Sequence, residues 1–274
     1  MILLHLVLLA LYGFAAWALW PAPAHAPAGN AVAAAPQWSG ISTWLIPVAL
    51  VMHAWLAAGD IARPEGLDLS FSNALSIVAG LTAIVAWATG LMRTLPIVAV
   101  VVLPIAAVFS VLPVLTPNPH PFAYAEAPWA AAHVAVALLA YALFLVAAVQ
   151  ALVLMWLEKR LHRGLADPAI ADLPPLLTLE RFLFRFLALG FVLLTLTVVS
   201  GVFFSEDVFG KPLTFNHKTV FSILAWFVFG GLLLGRQRYG WRGRVALRWI
   251  LTGTTLLFLA YLGSKFVLEV LLHR

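Results

Sequence analysis

The sequence predicts an all-α, polytopic membrane helix bundle of about eight transmembrane helices, with both termini outside. Three observations carry that reading. Of the 274 residues, 64% are hydrophobic and only 10% charged, against about 25% charged in a soluble globular domain. No Asp, Glu, Lys or Arg occurs between Met1 and Gly59. The chain also divides into eight windows near the roughly 20 residues that cross about 30 Å of hydrocarbon. They lie at approximately 2–20, 40–59, 71–92, 95–115, 129–157, 183–204, 216–235 and 246–270. A soluble enzyme is excluded.

The first window has no charge to interrupt it. It is followed by an Ala/Pro-rich, low-complexity linker at 21–37, PAPAHAPAGNAVAAAPQ, which carries no chemistry. Residues 1–26 also admit a reading as a cleaved signal ending in Ala24-His25-Ala26. The leading region lacks the Lys or Arg such signals carry, and cleavage would turn every Arg-rich loop outward, so the segment reads as a span. The fourth window holds Pro96, Pro104 and Pro113 and predicts a kinked helix supported by its neighbours. The fifth is the most secure, since Ala127 to Leu157 contains no charge. Lys265 and Glu269 near the end of the eighth reach the interface by snorkelling.

Charge sets the direction. Lys159, Arg160, Arg163, Arg181, Arg185, Arg236, Arg238, Arg242, Arg244, Arg248 and Arg93 place 11 of the 16 cations on one side. By the positive-inside rule that side is cytoplasmic. The net charge of +5 is therefore read as bilayer orientation, with no nucleic-acid partner. No GxGxxG, P-loop, HExxH or GxSxG pattern is present, so the common nucleotide, zinc-protease and hydrolase chemistries find no motif.

The chain has no cysteine, which removes disulfides, thiolate metal sites and covalent haem capture. The eight histidines carry most of the remaining chemistry. Under the assigned topology His5, His53, His120, His133, His217 and His273 lie in the outer half or outer loops, and His25 and His162 face the cytoplasm. His5, His120 and His273 read as interfacial. His133 enters the fifth span about 6 Å below the outer boundary, and His53 lies about 10 Å deep in the second. His217 sits at the mouth of the seventh. Three imidazoles at similar depth suit one outer-leaflet site, although each also suits a plain hydrogen bond to a carbonyl or a headgroup. Trp129, Ala137 and Tyr141, at i−4, i+4 and i+8 from His133, continue its face as an aromatic stripe, which helix packing alone also produces. Neutral imidazole serves haem iron, zinc or copper. The carboxylates lie near span ends, which disfavours an ion pathway, and a flat apolar macrocycle fits better than a passing divalent ion. Paired histidines on one span, as in a four-helix cytochrome b, are excluded. Pro117, Pro119, Pro121 and Pro128 prevent one helix from joining His120 to His133.

Five segments carry a resemblance. They are Trp129-Ala-Ala-Ala-His133-Val with Ala140-Tyr141-Ala142-Leu143-Phe144, then Leu189-Gly190-Phe191-Val-Leu-Leu-Thr195 running to Ser200-Gly201. Ala225-Trp226-Phe227-Val228-Phe229, Gly240-Trp241-Arg242-Gly243-Arg244 and Tyr261-Leu262-Gly263 follow. In this order and spacing, residues 125–270 resemble the core of the cytochrome c assembly family, which includes CcsA, CcmC and HemX-like membrane proteins. The resemblance implies an N-terminal four-span region at 1–124 and an assembly-like core at 125–274. It also implies haem handling, with iron ligated by histidines that flank an outer loop. His133 corresponds to the first such histidine, and His273 lies near the second. The family's Trp-rich W-x-W-D segment is replaced here by Phe209-Gly-Lys-Pro-Leu-Thr-Phe-Asn-His217-Lys-Thr-Val-Phe221. That argues against direct haem presentation to an apocytochrome and makes His217 a replacement ligand.

The expectation is a multi-pass protein of the bacterial inner membrane, not an enzyme, that binds non-covalent b-type haem and acts in cytochrome c or haem-protein biogenesis. Its axial ligands would be His133 and His217, with His53 as an alternate. Trp129 and Tyr141 would pack against the ring, and Lys211 and Lys218 would pair with the propionates. Its partners would be the lipid bilayer, haem and other biogenesis or membrane proteins. The rival reading is a cofactor-free regulatory or scaffolding protein that docks a partner through the Arg-rich 236–248 loop.

Overall fold

A computed structural model of the chain describes residues 1–19, 39–63, 66–91, 96–116, 121–122, 128–163, 175–203 and 217–267. The linker at 21–37, His25, His120, Lys211, His273 and the 209–216 part of the loop before the seventh span lie outside the described residues. Among the described residues, eight helices are long and apolar enough to cross a membrane. They are α1 (Ile2–Leu19), α2 (Ser39–Ile61), α3 (Phe71–Leu91), α4 (Pro96–Leu115), α5 (Pro128–His162), α6 (Leu176–Phe203), α7 (His217–Tyr239) and α8 (Gly243–Phe258), the last long enough to cross together with the turn that continues it to Gly263. The chain is a multi-pass membrane protein.

Local chemistry sets the helix ends. Pro96 and Pro128 open α4 and α5, where a missing N–H costs no hydrogen bond. α6 starts at Leu176, ahead of the expected 183. Its first turns carry Glu180, Arg181 and Arg185, charges that extend a helix past the hydrocarbon. For the same reason α5 runs on through Lys159 and Arg160 to a length of 35 residues. α4 remains one continuous helix with Pro104 and Pro113 inside it. α8 passes into a π-helical turn over Leu259–Gly263, a form common near functional sites. One addition to the all-helical expectation is a small antiparallel sheet of β1 (Ala62–Arg63), β2 (Gly66–Asp68) and β3 (Pro121–Phe122). It pairs Ala62 with Leu67 and Leu67 with Phe122, tying the segments after α2, before α3 and after α4 at one face of the bundle.

Two large cores fill the bundle, and a smaller cluster of Ala74, Leu75 and Leu262 joins α3 to the turn that follows α8. In the first, α1–α4 pack through Ala15, Ala16, Ala49, Ala79, Ala83, Ala86, Ala99, Ala106 and Ala107, since small residues let helices approach closely in lipid. The second is aromatic and gathers Phe144, Leu187, Leu194, Phe229, Ile250 and Leu257 from α5–α8. α5 serves both, sending Val146, Val153 and Leu157 to the first and Ala140, Phe144 and Ala147 to the second.

Neighbouring helices run antiparallel. His5 near the start of α1 meets Asp60 near the end of α2, and Ser72 near the start of α3 donates to the Thr116 carbonyl just past α4. His133 near the start of α5 meets Ser200 near the end of α6. The start of α3 and the end of α8 are joined where Lys265 donates to the Leu69 carbonyl. The described histidines of the predicted outer half therefore share one end of the bundle. The Arg-rich turns share the other.

Candidate functional site

His133 is half-buried in the second turn of α5. Its Nδ1 lies 2.7 Å from Ser200 Oγ on α6. Gly201 follows Ser200 and presents no side chain, so a methyl there would stand 3.4 Å from Cε1 of the His133 ring. One turn earlier on α5, Trp129 is 73% exposed. Two turns deeper, the half-buried Tyr141 donates its hydroxyl to the Leu257 carbonyl of α8. Its ring centroid lies 6.2 Å from that of Tyr261 in the π-helical turn. Tyr141 is thus tied into the α5–α8 contact beneath His133. His217 opens α7 with its side chain exposed, and Lys218 beside it is half-buried.

Under His133 the residues that carried the resemblance form a packed column. A methyl on Gly190 would lie 3.2 Å from Phe144, which stacks on Phe229 at 3.8 Å between centroids. A methyl on Gly253 would lie 2.6 Å from Phe229, so only glycine admits that ring. Phe191 stacks on Trp226 at 5.6 Å, and the Trp226 indole N–H donates to Thr195 Oγ1 at 2.9 Å. At the opposite end, Gly240 and Gly243 take φ of +65° and +53°, which L side chains rarely adopt. The turn they make lays Trp241 across Gly235, where any side chain would overlap the indole. Arg236 donates to Glu180 at 2.8 Å and to the Trp241 carbonyl at 3.3 Å.

His53 has different surroundings. It is 3% exposed, with Nδ1 3.0 Å from the Tyr12 hydroxyl and Nε2 3.0 Å from Ser76 Oγ. Both ring nitrogens are engaged by hydroxyls, so binding a metal here would require breaking one of those bonds. The ring also fills a notch at Gly80, where a methyl would lie 3.0 Å from Cε1.

His5, expected at the interface, is instead 1% exposed. Its Nδ1 donates to the Met1 carbonyl at 3.2 Å, and its Nε2 lies 3.0 Å from Asp60 Oδ2. His5 and Tyr12 are seven residues apart on α1, and His53 and Asp60 are seven apart on α2. Two helical turns separate the rungs on both helices, so one antiparallel register brings both pairs together. That equal spacing was the available signal. Asn73 Nδ2 donates to the carbonyls of Asp68 at 3.0 Å and Asp60 at 3.5 Å. Among the described residues no three His, Cys, Asp or Glu side chains gather as a metal site. A haem iron, held by its own porphyrin, asks the protein for one or two axial ligands.

The family model described as "Cytochrome C assembly protein" matches residues 41–272. Inner membrane protein YpjD of Escherichia coli strain K12 is 31% identical over 237 residues, covering 85% of this chain and 89% of its own length. A 28.8 kDa protein of Azospirillum brasilense is 37% identical over 156 residues, 56% of this chain and 58% of its own. Cytochrome c biogenesis protein CcsA of Synechocystis is 30% identical over 107 residues, 38% of this chain and 32% of its own. No solved structure matches the chain.

Proposed function

Because the chain belongs to the cytochrome c assembly protein family, we propose that it is a haem-handling membrane protein with an accessory part in cytochrome c or haem-protein biogenesis. The observation that carries this reading is the placement of His133. It is a half-buried imidazole at the mouth of α5, held by one hydroxyl of α6, directly above the column of residues the family resemblance rests on. An ionisable group on the inner side of a membrane bundle is costly and usually functional.

The donor set fits haem. Imidazole is its commonest protein ligand, and without cysteine the attachment is non-covalent, of the b type. His133 and His217 would hold the iron. Lys218 would face a propionate, Trp129 would screen the ring from lipid, and Tyr141 would form part of the floor. When bound, the haem supplies a redox-active iron. The chain's own residues orient the ligating imidazole and keep the floor dry, through Tyr141 donating to α8 and the Phe144–Phe229 stack. With no thiol of its own to form or exchange a thioether, the chain would bind haem without a covalent route and is read as not an enzyme.

The cation distribution supports both termini outside, and the name of the YpjD relative supports the bacterial inner membrane. A chain without cysteine makes orientation directly testable. A single cysteine at Tyr239, 79% exposed, should react with a membrane-impermeant thiol reagent only in inverted vesicles. One at Val220, 44% exposed near the start of α7, should favour right-side-out vesicles.

The haem reading is tested by spectra of detergent-purified protein, oxidised and dithionite-reduced, after expression with haem supplied. A Soret band with sharp reduced α and β bands that disappears in His133→Ala/His217→Ala is expected. A featureless spectrum from folded wild-type protein would reject it. That outcome would favour the second reading, a scaffold docking a partner through the exposed Arg238, Arg242, Arg244 and Arg248, which the Arg236–Glu180 pair holds on a fixed turn.

A further inference from the structure

We propose that the α7–α8 turn is a docking surface for anionic phospholipid headgroups, with Arg238, Arg244 and Arg248 as the contacting cations. The inference is independent of the haem reading and concerns the opposite end of the bundle. The arginines there divide by what they touch. Arg236 is consumed by the fold: it donates to Glu180 at 2.8 Å and to the Trp241 carbonyl at 3.3 Å, and it lies over the Phe184 ring at 4.6 Å. Arg242 stands 3.6 Å from the same Glu180 carboxylate. Arg238, Arg244 and Arg248 are exposed, and among the described residues no carboxylate pairs with any of them. Glu180 thus answers two of these arginines, and three charges face outward from the chain.

Arg244 and Arg248 do not serve the helix that carries them. The residue before α8 is Arg242, whose side chain makes no capping hydrogen bond, and the first turn holds no acid. A helix start is the positive end of its dipole, where cations are unfavourable. Arg244 stands in that turn, and Arg248 follows one turn later, so two like charges also repel at i, i+4. An anion lying across the pair relieves both penalties. Gly240 and Gly243, at φ of +65° and +53°, shape the turn, and the Gly240 N–H bonds the Arg236 carbonyl at 3.2 Å, so the backbone that carries the cations is already ordered.

Aromatic side chains fix the depth. Trp241 lies beside both Tyr239 and Trp249, with ring centroids 6.1 and 5.0 Å away. Tyr and Trp gather at the headgroup level of a bilayer, which puts the neighbouring guanidinium groups within reach of lipid phosphates. A guanidinium binds phosphate through paired N–H donors. A zwitterionic headgroup would bring its own cation into the cluster. The occupant that fits charge and depth together is a phospholipid with a net negative headgroup.

The test uses the full chain in neutral detergent, with native mass spectrometry counting bound dioleoylphosphatidylglycerol, dioleoylphosphatidylcholine or inorganic phosphate. The chains are wild type, Arg238→Gln/Arg244→Gln/Arg248→Gln and Arg181→Gln/Arg185→Gln, the last removing exposed cations of α6 at the same rim. Wild type should prefer phosphatidylglycerol to phosphatidylcholine. Its affinity for phosphatidylglycerol should fall about fivefold per arginine removed and roughly a hundredfold in the triple variant, while the α6 variant binds as wild type does. In detergent alone the triple variant should melt no lower than wild type, because its arginines oppose α8. Equal binding of the two lipids by wild type overturns the proposal and leaves the patch to the protein partner of the scaffold reading. A triple variant that keeps its affinity overturns it too, and an equal loss in the α6 variant overturns the placement. Uptake of inorganic phosphate with indifference to lipid makes the occupant a free phosphate and overturns the lipid. A triple variant that melts lower in detergent alone overturns the claim that the fold does not use these arginines.

Discussion

The two halves of the bundle place histidine in opposite circumstances. Between α1, α2 and α3, His5 and His53 are almost completely buried, and their ring nitrogens meet Met1, Asp60, Tyr12 and Ser76. Between α5 and α7, His133 is half-buried and His217 exposed, both at helix starts on the same face. An imidazole in hydrocarbon that is satisfied from two sides joins helices. One that is half-buried at the rim, against a hydroxyl of α6, stands nearer the outer surface. Residue type and predicted depth are similar, and the neighbours decide the role.

The largest effect expected from breaking this contrast is at the outer rung. Asp60→Ala leaves the buried Nε2 of His5 without its acceptor, and removing the partner of a buried hydrogen bond costs up to about 3 kcal/mol. Thermal unfolding in detergent should show it, with His5→Ala/Asp60→Ala less damaged than the sum of the single changes. His53→Ala removes both hydroxyl bonds and the ring that fills the Gly80 notch, at a cost of about 2–3 kcal/mol, and should leave hemin binding unchanged. Loss of hemin binding in that variant with stability intact would dissolve the contrast between the halves.

Glycine changes sharpen the comparison within the second half. Gly253→Ala forces a methyl to 2.6 Å from Phe229 and should destabilise by about 1–3 kcal/mol. Gly201→Ala, at 3.4 Å from His133, is ordinary contact and should be nearly neutral by the same melting assay. The smallest effect is Thr195→Val, which strips the Trp226 indole of its acceptor. Interhelical hydrogen bonds in membranes average about 0.6 kcal/mol, so a shift of that order is expected, with Trp226 fluorescence reporting the altered environment.

How much was legible depends on whether the cause is local. Span positions were readable because a charge or a proline penalises a membrane helix wherever it stands, so α1, α3 and α4 fall within a residue or so of their expected limits. α6 was misplaced at its start because Glu180 and Arg181 end the hydrocarbon crossing without ending the helix. The motif residues were recognisable as a pattern, while their purpose was not. Gly190, Phe191, Thr195 and Trp226 look unrelated until α6 lies antiparallel between α5 and α7. Ser200 entered the sequence reading only as part of a matching segment, because nothing within α6 indicates that a histidine 67 residues away will meet its hydroxyl.

The sequence by itself determined that this is a multi-pass membrane protein, with eight candidate spans among the described residues, that gathers most of its cations toward one rim and carries most of its histidines toward the other. Those are consequences of transferring each residue between water and hydrocarbon, a cost paid residue by residue. Only the tertiary structure decided which histidines are structural. His5 and His53 lock α1 to its neighbours because α1 and α2 share a seven-residue register, and His133 stays half-buried where α6 sets a serine and a glycine against it. A hydrogen bond needs two groups at about 3 Å, and distances of that kind between distant segments exist only once the helices have packed.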